Sequence, residues 1–188
     1  EARAGRWVSG TFGWWWRYED GSYPTSTQLR IDGAIYRFNA RGYMVTGWVY
    51  EDGQWYYYGA SGGQAAGWVR VHGTWYYLDP LTGAMTSGWT KVQGTWYYLS
   101  SSGAMRTGWV RDGSAWYYLT SSCALATGWQ RVGSSWYYLS SDGGAMVTGW
   151  LRDGDAWYYL TSSGAMAPGS RWIDGTRYAF DGEGRLMP

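Results

Sequence analysis

Residues 107–119, TGWVRDGSAWYYL, contain the pattern that decides the fold of this 188-residue chain. A Gly-Trp pair lies near the start of the stretch and a Trp-Tyr-Tyr triplet near its end, so that Trp116 follows Trp109 by seven residues. The same arrangement occurs six times, at steps of 20 or 21 residues. A period in this range indicates an array of small units, each of which buries its apolar face against its neighbours.

Each unit is predicted to form a β-hairpin. Asp52-Gly53 is a dipeptide suited to a two-residue hairpin turn, because both central positions need positive φ. This turn predicts that Trp48 faces Tyr57 on one side of the ribbon. It also predicts that Val49 faces Tyr56 on the other side, since side chains alternate between faces.

The turn dipeptide changes in the last three units, where Gly moves forward by one residue. These turns are Gly113-Ser114, Gly133-Ser134 and Gly154-Asp155. Glycine at the first central position fits a type II′ turn, which leaves the strand register unchanged. A polar loop and an apolar pair such as Ala104-Met105 then lead to the next unit, and this pair is expected to fill space between hairpins.

Composition and charge exclude several classes of function. The 17 Trp and 19 Tyr give rings with an apolar body and a polar handle, which suit surfaces that are half packed and half available to a ligand. The net charge of +1 without charged runs argues against nucleic acid or an anionic membrane as partner. No apolar stretch approaches the length of a membrane span. One Cys and one His exclude a disulfide framework and a Cys/His metal site.

No catalytic constellation can be assembled from the sequence, and no cofactor is expected. The chain offers no repeated carboxylate pair and no Ser/His/Asp set. Its only histidine, His72, lies at a predicted hairpin turn and is interpreted as a turn residue.

Two further units, at Asp32-Gly33 and Asp174-Gly175, have lost both tryptophans but keep the middle tyrosine as Tyr36 and Tyr178. The tryptophan positions are taken by Gln28 and Ile35 in the first unit and by Ser170 and Arg177 in the second. A tyrosine retained without its own tryptophans is expected to serve the preceding hairpin. The sequence therefore predicts cages made of two Trp from one hairpin and the middle Tyr of the next.

Up to seven such cages are predicted. Three ring faces without a fixed charge can bind a quaternary ammonium by cation–π attraction or stack on sugar rings, so the residues leave both ligands open. The predicted sets are Trp7, Trp15 and Tyr36; Trp48, Trp55 and Tyr76; Trp68, Trp75 and Tyr97; Trp89, Trp96 and Tyr117; Trp109, Trp116 and Tyr137; Trp129, Trp136 and Tyr158; and Trp150, Trp157 and Tyr178.

The repeated units, with the Gly-Ala-Met that follows most of them, resemble the choline-binding repeats of Gram-positive surface proteins and cell-wall hydrolases. The segment from Gly13-Trp14-Trp15-Trp16 to Gly42-Tyr43-Met44 is similar to the start of the repeat module in pneumococcal-type autolysin amidases. The resemblance implies an all-β fold, a left-handed β-solenoid of stacked hairpins. It also implies that choline or phosphocholine of teichoic acids binds through two Trp and a Tyr at each cavity between hairpins.

The resemblance carries further expectations about organisation. Residues 1–188 are expected to form one repeat domain, with atypical hairpins in 1–46, six regular repeats in 47–167 and a capping repeat in 168–188. Such a module would be non-catalytic, secreted and held at the bacterial cell wall, as a monomer or weak homodimer without membrane insertion. Any secretion signal or catalytic domain, such as a peptidoglycan hydrolase, is expected to lie outside this sequence.

Two features limit the resemblance. Glucan-binding repeats of secreted glucosyltransferases share a similar Gly-Trp and Tyr-Tyr pattern, so an α-glucan is the alternative ligand, although Trp-Tyr-Tyr-Leu and Gly-Ala-Met favour choline. Cys123-Ala124-Leu125 replaces Gly-Ala-Met in one unit. It places a Cβ where glycine is expected to take positive φ, and it is interpreted as a tolerated substitution or, alternatively, a dimer contact.

Overall fold

The computed structural model describes residues 2–188, in which eighteen strands pair as nine antiparallel two-stranded hairpins and no helix occurs. The strands are β1 (Gly5–Gly10), β2 (Gly13–Tyr18), β3 (Thr27–Ile31), β4 (Ala34–Phe38), β5 (Gly47–Glu51), β6 (Gln54–Tyr58), β7 (Gly67–Val71), β8 (Thr74–Leu78), β9 (Gly88–Val92), β10 (Thr95–Leu99), β11 (Gly108–Asp112), β12 (Ala115–Leu119), β13 (Gly128–Val132), β14 (Ser135–Leu139), β15 (Gly149–Asp153), β16 (Ala156–Leu160), β17 (Gly169–Ile173) and β18 (Thr176–Phe180). The predicted all-β array of repeated hairpins is confirmed.

The predicted register of the hairpins is confirmed as well. In the β5–β6 hairpin Trp48 faces Tyr57, and Val49 faces Tyr56. In β11–β12, whose turn is of the other kind, Trp109 faces Tyr118 in the same way. Both tryptophans of a hairpin therefore share one face, and the middle tyrosine lies on the opposite face.

Backbone angles at the turns explain why two dipeptide types give one register. Asp52 and Gly53 both have positive φ, at 50° and 80°, as a type I′ turn requires. Gly113 has φ of 58°, whereas Ser114 is not in the left-handed region, as a type II′ turn requires. Both turns match the right-handed twist of the strands, so the strand pairing is unchanged.

Linkers between hairpins hold the array together by hydrogen-bonding to two hairpins at once. The backbone N–H of Met85 donates to the carbonyl oxygen of Trp55 in one hairpin at 2.7 Å. The adjacent N–H of Thr86 donates to the carbonyl oxygen of Tyr77 in the next hairpin at 2.9 Å. Since an isolated hairpin is marginal in water, this double attachment is what allows hairpins to stack as in a solenoid.

One core position recurs in each hairpin from β3–β4 onward. From β4 onward, the last residue of every second strand is almost fully buried, and it pairs through an isolated bridge with the linker that follows. These residues are Phe38, Tyr58, Leu78, Leu99, Leu119, Leu139, Leu160 and Phe180. The second tryptophans of the regular hairpins are not part of this core, since each remains at least 40% exposed.

The chain divides into two compact units, one of residues 2–88 with Leu99–Met105 and one of Trp89–Tyr98 with Arg106–Pro188. Within 2–188, no helix is long and apolar enough to cross a membrane.

Candidate functional site: aromatic cages between hairpins

One cage in the first unit is built on the β5–β6 hairpin. The rings of Trp48 and Trp55 stand nearly perpendicular, with centroids 6.4 Å apart and an interplanar angle of 88°. Tyr76 of the next hairpin completes the third wall, with its ring centroid 4.8 Å from that of Trp48. The cavity of about 290 Å³ is closed further by Met85 and by a loop serine, Ser101.

The second unit repeats this geometry on the β11–β12 hairpin. Trp109 and Trp116 lie 6.5 Å apart at 87°, and the ring of Tyr137 lies 4.9 Å from that of Trp109. Met146 and Ser162 close a cavity of about 270 Å³. The near identity of the two cages follows from the shared register and from the shared linker hydrogen bonds.

In four further cages the ring of the middle tyrosine contacts the first tryptophan of the preceding hairpin. The ring centroids are 4.8 Å apart for Trp7 and Tyr36, 4.9 Å for Trp89 and Tyr117, 4.8 Å for Trp129 and Tyr158, and 4.8 Å for Trp150 and Tyr178. The predicted pairing of a tyrosine with its neighbour's tryptophan is therefore confirmed at these positions. Trp68 and Trp75 belong to the first unit and Tyr97 to the second, so their grouping stays a prediction.

The prediction that Trp15 shares a cage with Trp7 is wrong. In β1–β2, Trp7 faces Trp16 and Ser9 faces Trp14, so alternation puts Trp15 on the opposite face. There its ring contacts Tyr23 at 5.5 Å. Trp14 takes the second position instead, lining a cavity of about 380 Å³ together with Trp7. The seven-residue spacing from Trp7 to Trp14 matches the regular hairpins and could have identified it.

Methionine forms a fourth wall of the cages, whereas its predicted role was only to fill space between hairpins. Met44, Met85, Met146 and Met166 each line a cavity together with the tryptophans of the hairpin that their backbone N–H contacts. Each methionine follows the second tryptophan of its cage by thirty residues, and this constant spacing in the sequence could have identified it as a cage residue. The thioether adds an apolar, polarisable surface opposite the rings.

One face of each second tryptophan is accessible to a ligand. The exposed fraction of Trp55 is 43%, and that of Trp116 is 41%, although both belong to well-packed hairpins. The ring of Trp96 already lies near a cation, because Nζ of Lys91 is 5.7 Å from its centroid. The rings can therefore take a positively charged group by cation–π attraction.

The cage of Trp129, Trp136 and Tyr158 has an ion pair at its rim. Arg185 and Glu183 line this cavity of about 410 Å³ and form an ion pair of 2.9 Å. A hydrogen bond with Tyr158 and the carboxylate of Glu183 raise the pKa of the Arg185 guanidinium. Since both charges are exposed and paired, the cavity itself remains without net charge.

Acidic side chains hold two of the first tryptophans by their edges. Nε1 of Trp89 donates to Asp112 at 3.0 Å, and Nε1 of Trp129 donates to Asp153 at 2.9 Å. These bonds fix the indole planes and leave their faces to the cavity. Among residues 2–188, His, Cys, Asp and Glu nowhere gather in a group of three that could hold a metal ion.

Comparison with known proteins places this geometry in a family. A family model for the choline-binding repeat matches residues 25–66, 52–87, 86–122 and 126–168, which together exceed half of the chain. A comparison with curated protein sequences gives no significant match.

Solved structures from Streptococcus pneumoniae share the fold. Choline binding protein F, crystallised in the presence of a peptidoglycan analogue, is 36% identical with a TM-score of 0.81 over 93% of this chain and 61% of that protein's chain. CbpJ is 28% identical with a TM-score of 0.78 over 98% of this chain and 94% of its own. The modular autolysin LytC is 32% identical with a TM-score of 0.73, over 98% of this chain and 42% of its own.

The chain spans only 61% of the length of choline binding protein F and 42% of that of LytC, so it corresponds to the repeat region of such proteins. The repeats form a binding module with regularly spaced aromatic clusters. With the family model matching most of its length, this chain belongs to the choline-binding repeat family.

Proposed function

We propose that this module binds choline, free or as the phosphocholine of teichoic acid, and thereby holds an attached protein at the bacterial cell wall. The observation that carries the proposal is the three-ringed cage, exemplified by Trp109, Trp116 and Tyr137, with no charged side chain in its lining. A trimethylammonium group has a diffuse charge and an apolar surface, so it gains from rings on several sides at once.

Cation–π attraction supplies about 0.5 to 2 kcal/mol per ring, depending on how far the cation is desolvated. Three rings and a linker methionine or leucine would thus give each cage a modest affinity. Several cages on one chain would bind a polymer that carries many choline groups with far greater avidity than one cage alone. Weak individual sites therefore suit a cell-wall anchor, which must hold firmly but exchange locally.

The proposed ligand-binding residues are the cage sets of the sequence analysis, with Trp14 in place of Trp15 and with the linker methionines added. The relatives support this ligand. Choline binding protein F has also been solved in complex with ipratropium by soaking. Ipratropium contains a quaternary ammonium, which is the group that the cages would recognise.

An α-glucan is the second candidate, because the exposed faces of the second tryptophans could stack on sugar rings. The ring geometry favours choline over a glucan. Trp48 and Trp55 meet at 88° and form a compact cavity with Tyr76, whereas a sugar ring stacks on the exposed face of a single aromatic ring. Secretion and attachment to the cell wall belong to the same proposal.

Calorimetric titration with choline and, separately, with soluble dextran tests the assignment. Choline should release binding heat, change tryptophan fluorescence and raise the thermal midpoint, because a ligand of the native state stabilises it. Trp116→Ala should remove one site, whereas Trp172→Ala is the matched control, since Trp172 is 72% exposed and lies outside every cage. Binding of dextran without any response to choline would overturn the proposal.

A further inference from the structure

One position in the first unit retains the backbone frame of a cage but has polar side chains. The β3–β4 hairpin carries Gln28 and Ile35 where the regular hairpins carry tryptophans. Gln64 takes the place of the wall methionine, and its backbone N–H donates to the carbonyl oxygen of Ile35 at 2.8 Å, as Met85 does to Trp55. These residues line a cavity of about 390 Å³, which we call the polar cleft.

The polar cleft cannot bind a quaternary ammonium in the manner of the cages. Of the three rings only the middle tyrosine of the next hairpin, Tyr56, remains in the lining. An amide and an aliphatic side chain have no negative ring face to offer a cation. The cavity of the cleft is nevertheless as large as those of the aromatic cages, which measure about 270 to 410 Å³, so a space of ligand size persists although both tryptophan positions are taken by other residues.

The polar groups of the cleft are held in fixed positions by the surrounding fold. Arg37, at the position of the third tyrosine, forms an ion pair with Glu51, and both side chains are largely buried. Gln28 donates from Nε2 to the hydroxyl oxygen of the fully buried Tyr58 at 2.7 Å. A preformed set of donors and acceptors costs little to order when a ligand binds.

The charges of the lining exclude an anion and favour an uncharged ligand. The Arg37 guanidinium is neutralised by Glu51, and Asp52 adds a further carboxylate to the wall. A phosphate would therefore meet repulsion from the carboxylate without a free cation to offset it. Amides, carboxylates and a guanidinium beside one tyrosine ring instead match a neutral ring that carries many hydroxyl groups.

We propose that the polar cleft binds one pyranose unit of a neutral saccharide, through hydrogen bonds to Gln28, Gln64 and the Arg37–Glu51 pair, with the sugar ring against Tyr56. The site is separate from the choline cages and does not depend on their ligand. The module would thus bind two chemical groups of a polysaccharide surface, an ammonium in the cages and a sugar in the cleft.

The test is an NMR titration of the ¹⁵N-labelled chain with maltotetraose and with tetra-N-acetylchitotetraose, in the absence and presence of saturating choline. At least one saccharide should shift the side-chain amide signals of Gln28 and Gln64 at about 10 mM ligand or below, with choline making no difference. The two sugars distinguish a plain hexose polymer from an N-acetylated glycan as the source. If neither shifts these signals, the proposal is wrong.

Gln64→Met is the deciding variant, because it restores the residue of the regular cages and keeps the backbone hydrogen bond to Ile35. It should weaken saccharide binding by about tenfold, since it removes the side-chain amide that hydrogen-bonds to the sugar. Choline affinity, measured on the same sample, should be unchanged. Shifts confined to the tryptophan indoles, abolished by choline, would place the sugar in the cages and overturn the polar-cleft proposal, whereas an absent choline response would count against the proposed function only.

Discussion

The cage of Trp48, Trp55 and Tyr76 and the polar cleft of Gln28 and Ile35 lie in the same unit and share one backbone plan. In both, a two-residue turn with positive φ sets the register, and the following linker hydrogen-bonds to the carbonyl oxygen at the second tryptophan position. Their linings differ in nearly every side chain. The repeat frame therefore does not depend on the side chains that line the cavity.

Such independence has a physical basis in where the stabilising groups lie. The hairpins are held by turn glycines, by the buried residue that ends each second strand and by linker hydrogen bonds. The two tryptophans lie largely outside that core, with Trp55 still 43% exposed. Substituting them changes the cavity without removing a core residue, which is what the β3–β4 hairpin displays.

The largest expected effect comes from deleting residues 169–188, which tests whether the frame needs a covering hairpin. Deletion removes Tyr178 and the buried Phe180 from Trp150, whose ring they contact at 4.8 and 5.9 Å. The cage of Trp150 and Trp157 should open, and the exposed apolar face should cause self-association. Sedimentation velocity measures this, and a monomer as stable as the parent would show that the last hairpin neither caps the array nor completes a site.

Converting the polar cleft into a cage tests whether the same backbone frame accepts either set of side chains. The triple variant Gln28→Trp, Ile35→Trp and Gln64→Met should add one choline site, because Tyr56 and the linker geometry are already in place. Calorimetric stoichiometry should rise by one site relative to the parent. Gln64→Met alone is the control and should add none. A folded triple variant with unchanged stoichiometry would mean that side-chain identity does not by itself define a cage.

A smaller effect is expected for Tyr117→Ala, which removes one ring from one cage. Tyr117 contacts Trp89, so the cage of Trp89 and Trp96 should lose about 0.5 to 2 kcal/mol of choline binding, while that of Trp109 and Trp116 should keep its affinity. Indole NMR signals of Trp96 and Trp116 during a choline titration separate the two sites.

Tyr137→Ala is the matched variant for this test. It should weaken the response of Trp116 and spare Trp96, because Tyr137 contacts Trp109. The reverse outcome, with each tyrosine affecting the cage of its own hairpin, would contradict the assignment of the tyrosine wall in every cage.

The smallest effect is expected for Cys123→Gly, which changes the backbone frame at one loop and leaves every cage side chain in place. Cys123 has φ of 66°, where Gly103 and Gly164 stand in equivalent loops with φ of 78° and 81°. Removing the Cβ should raise the free energy of unfolding by about 1 kcal/mol, measured by urea denaturation. Ser121→Gly, at an exposed neighbouring position, is the control and should not stabilise the chain.

Burial gives the same cysteine a second measurable property. It raises the pKa of the Cys123 thiol, so less thiolate is present at neutral pH than in a free cysteine. Alkylation by iodoacetamide should therefore be slower than for a cysteine peptide and should accelerate at a higher pH. A rate equal to that of the peptide would show that the side chain is not buried.

Much of the fold could be predicted from the sequence because the determinants are local. A dipeptide such as Asp52-Gly53 fixes its own φ angles, and the strand register follows by counting from it. The pairing of Tyr178 with Trp150 was also predictable, since a tyrosine without its own tryptophans must serve another hairpin.

The parts that could not be predicted depend on contacts between distant segments. Met85 becomes a cage wall only because its linker returns to the hairpin of Trp55, thirty residues earlier. Trp15 was assigned to the wrong face because it lies within a run of three tryptophans. Only the paired register shows that Trp14 shares the face of Trp7. The polar cleft likewise depends on Arg37 meeting Glu51 across two hairpins.

The most direct test of the central claim is a crystal structure of this chain with choline. We expect a trimethylammonium group between Trp109, Trp116 and Tyr137, another between Trp48, Trp55 and Tyr76, and none in the polar cleft. Choline enclosed by rings of a single hairpin, or bound in the polar cleft while these cages stay empty at saturating ligand, would contradict the claim that ligand sites form between successive hairpins from side chains set on a common frame.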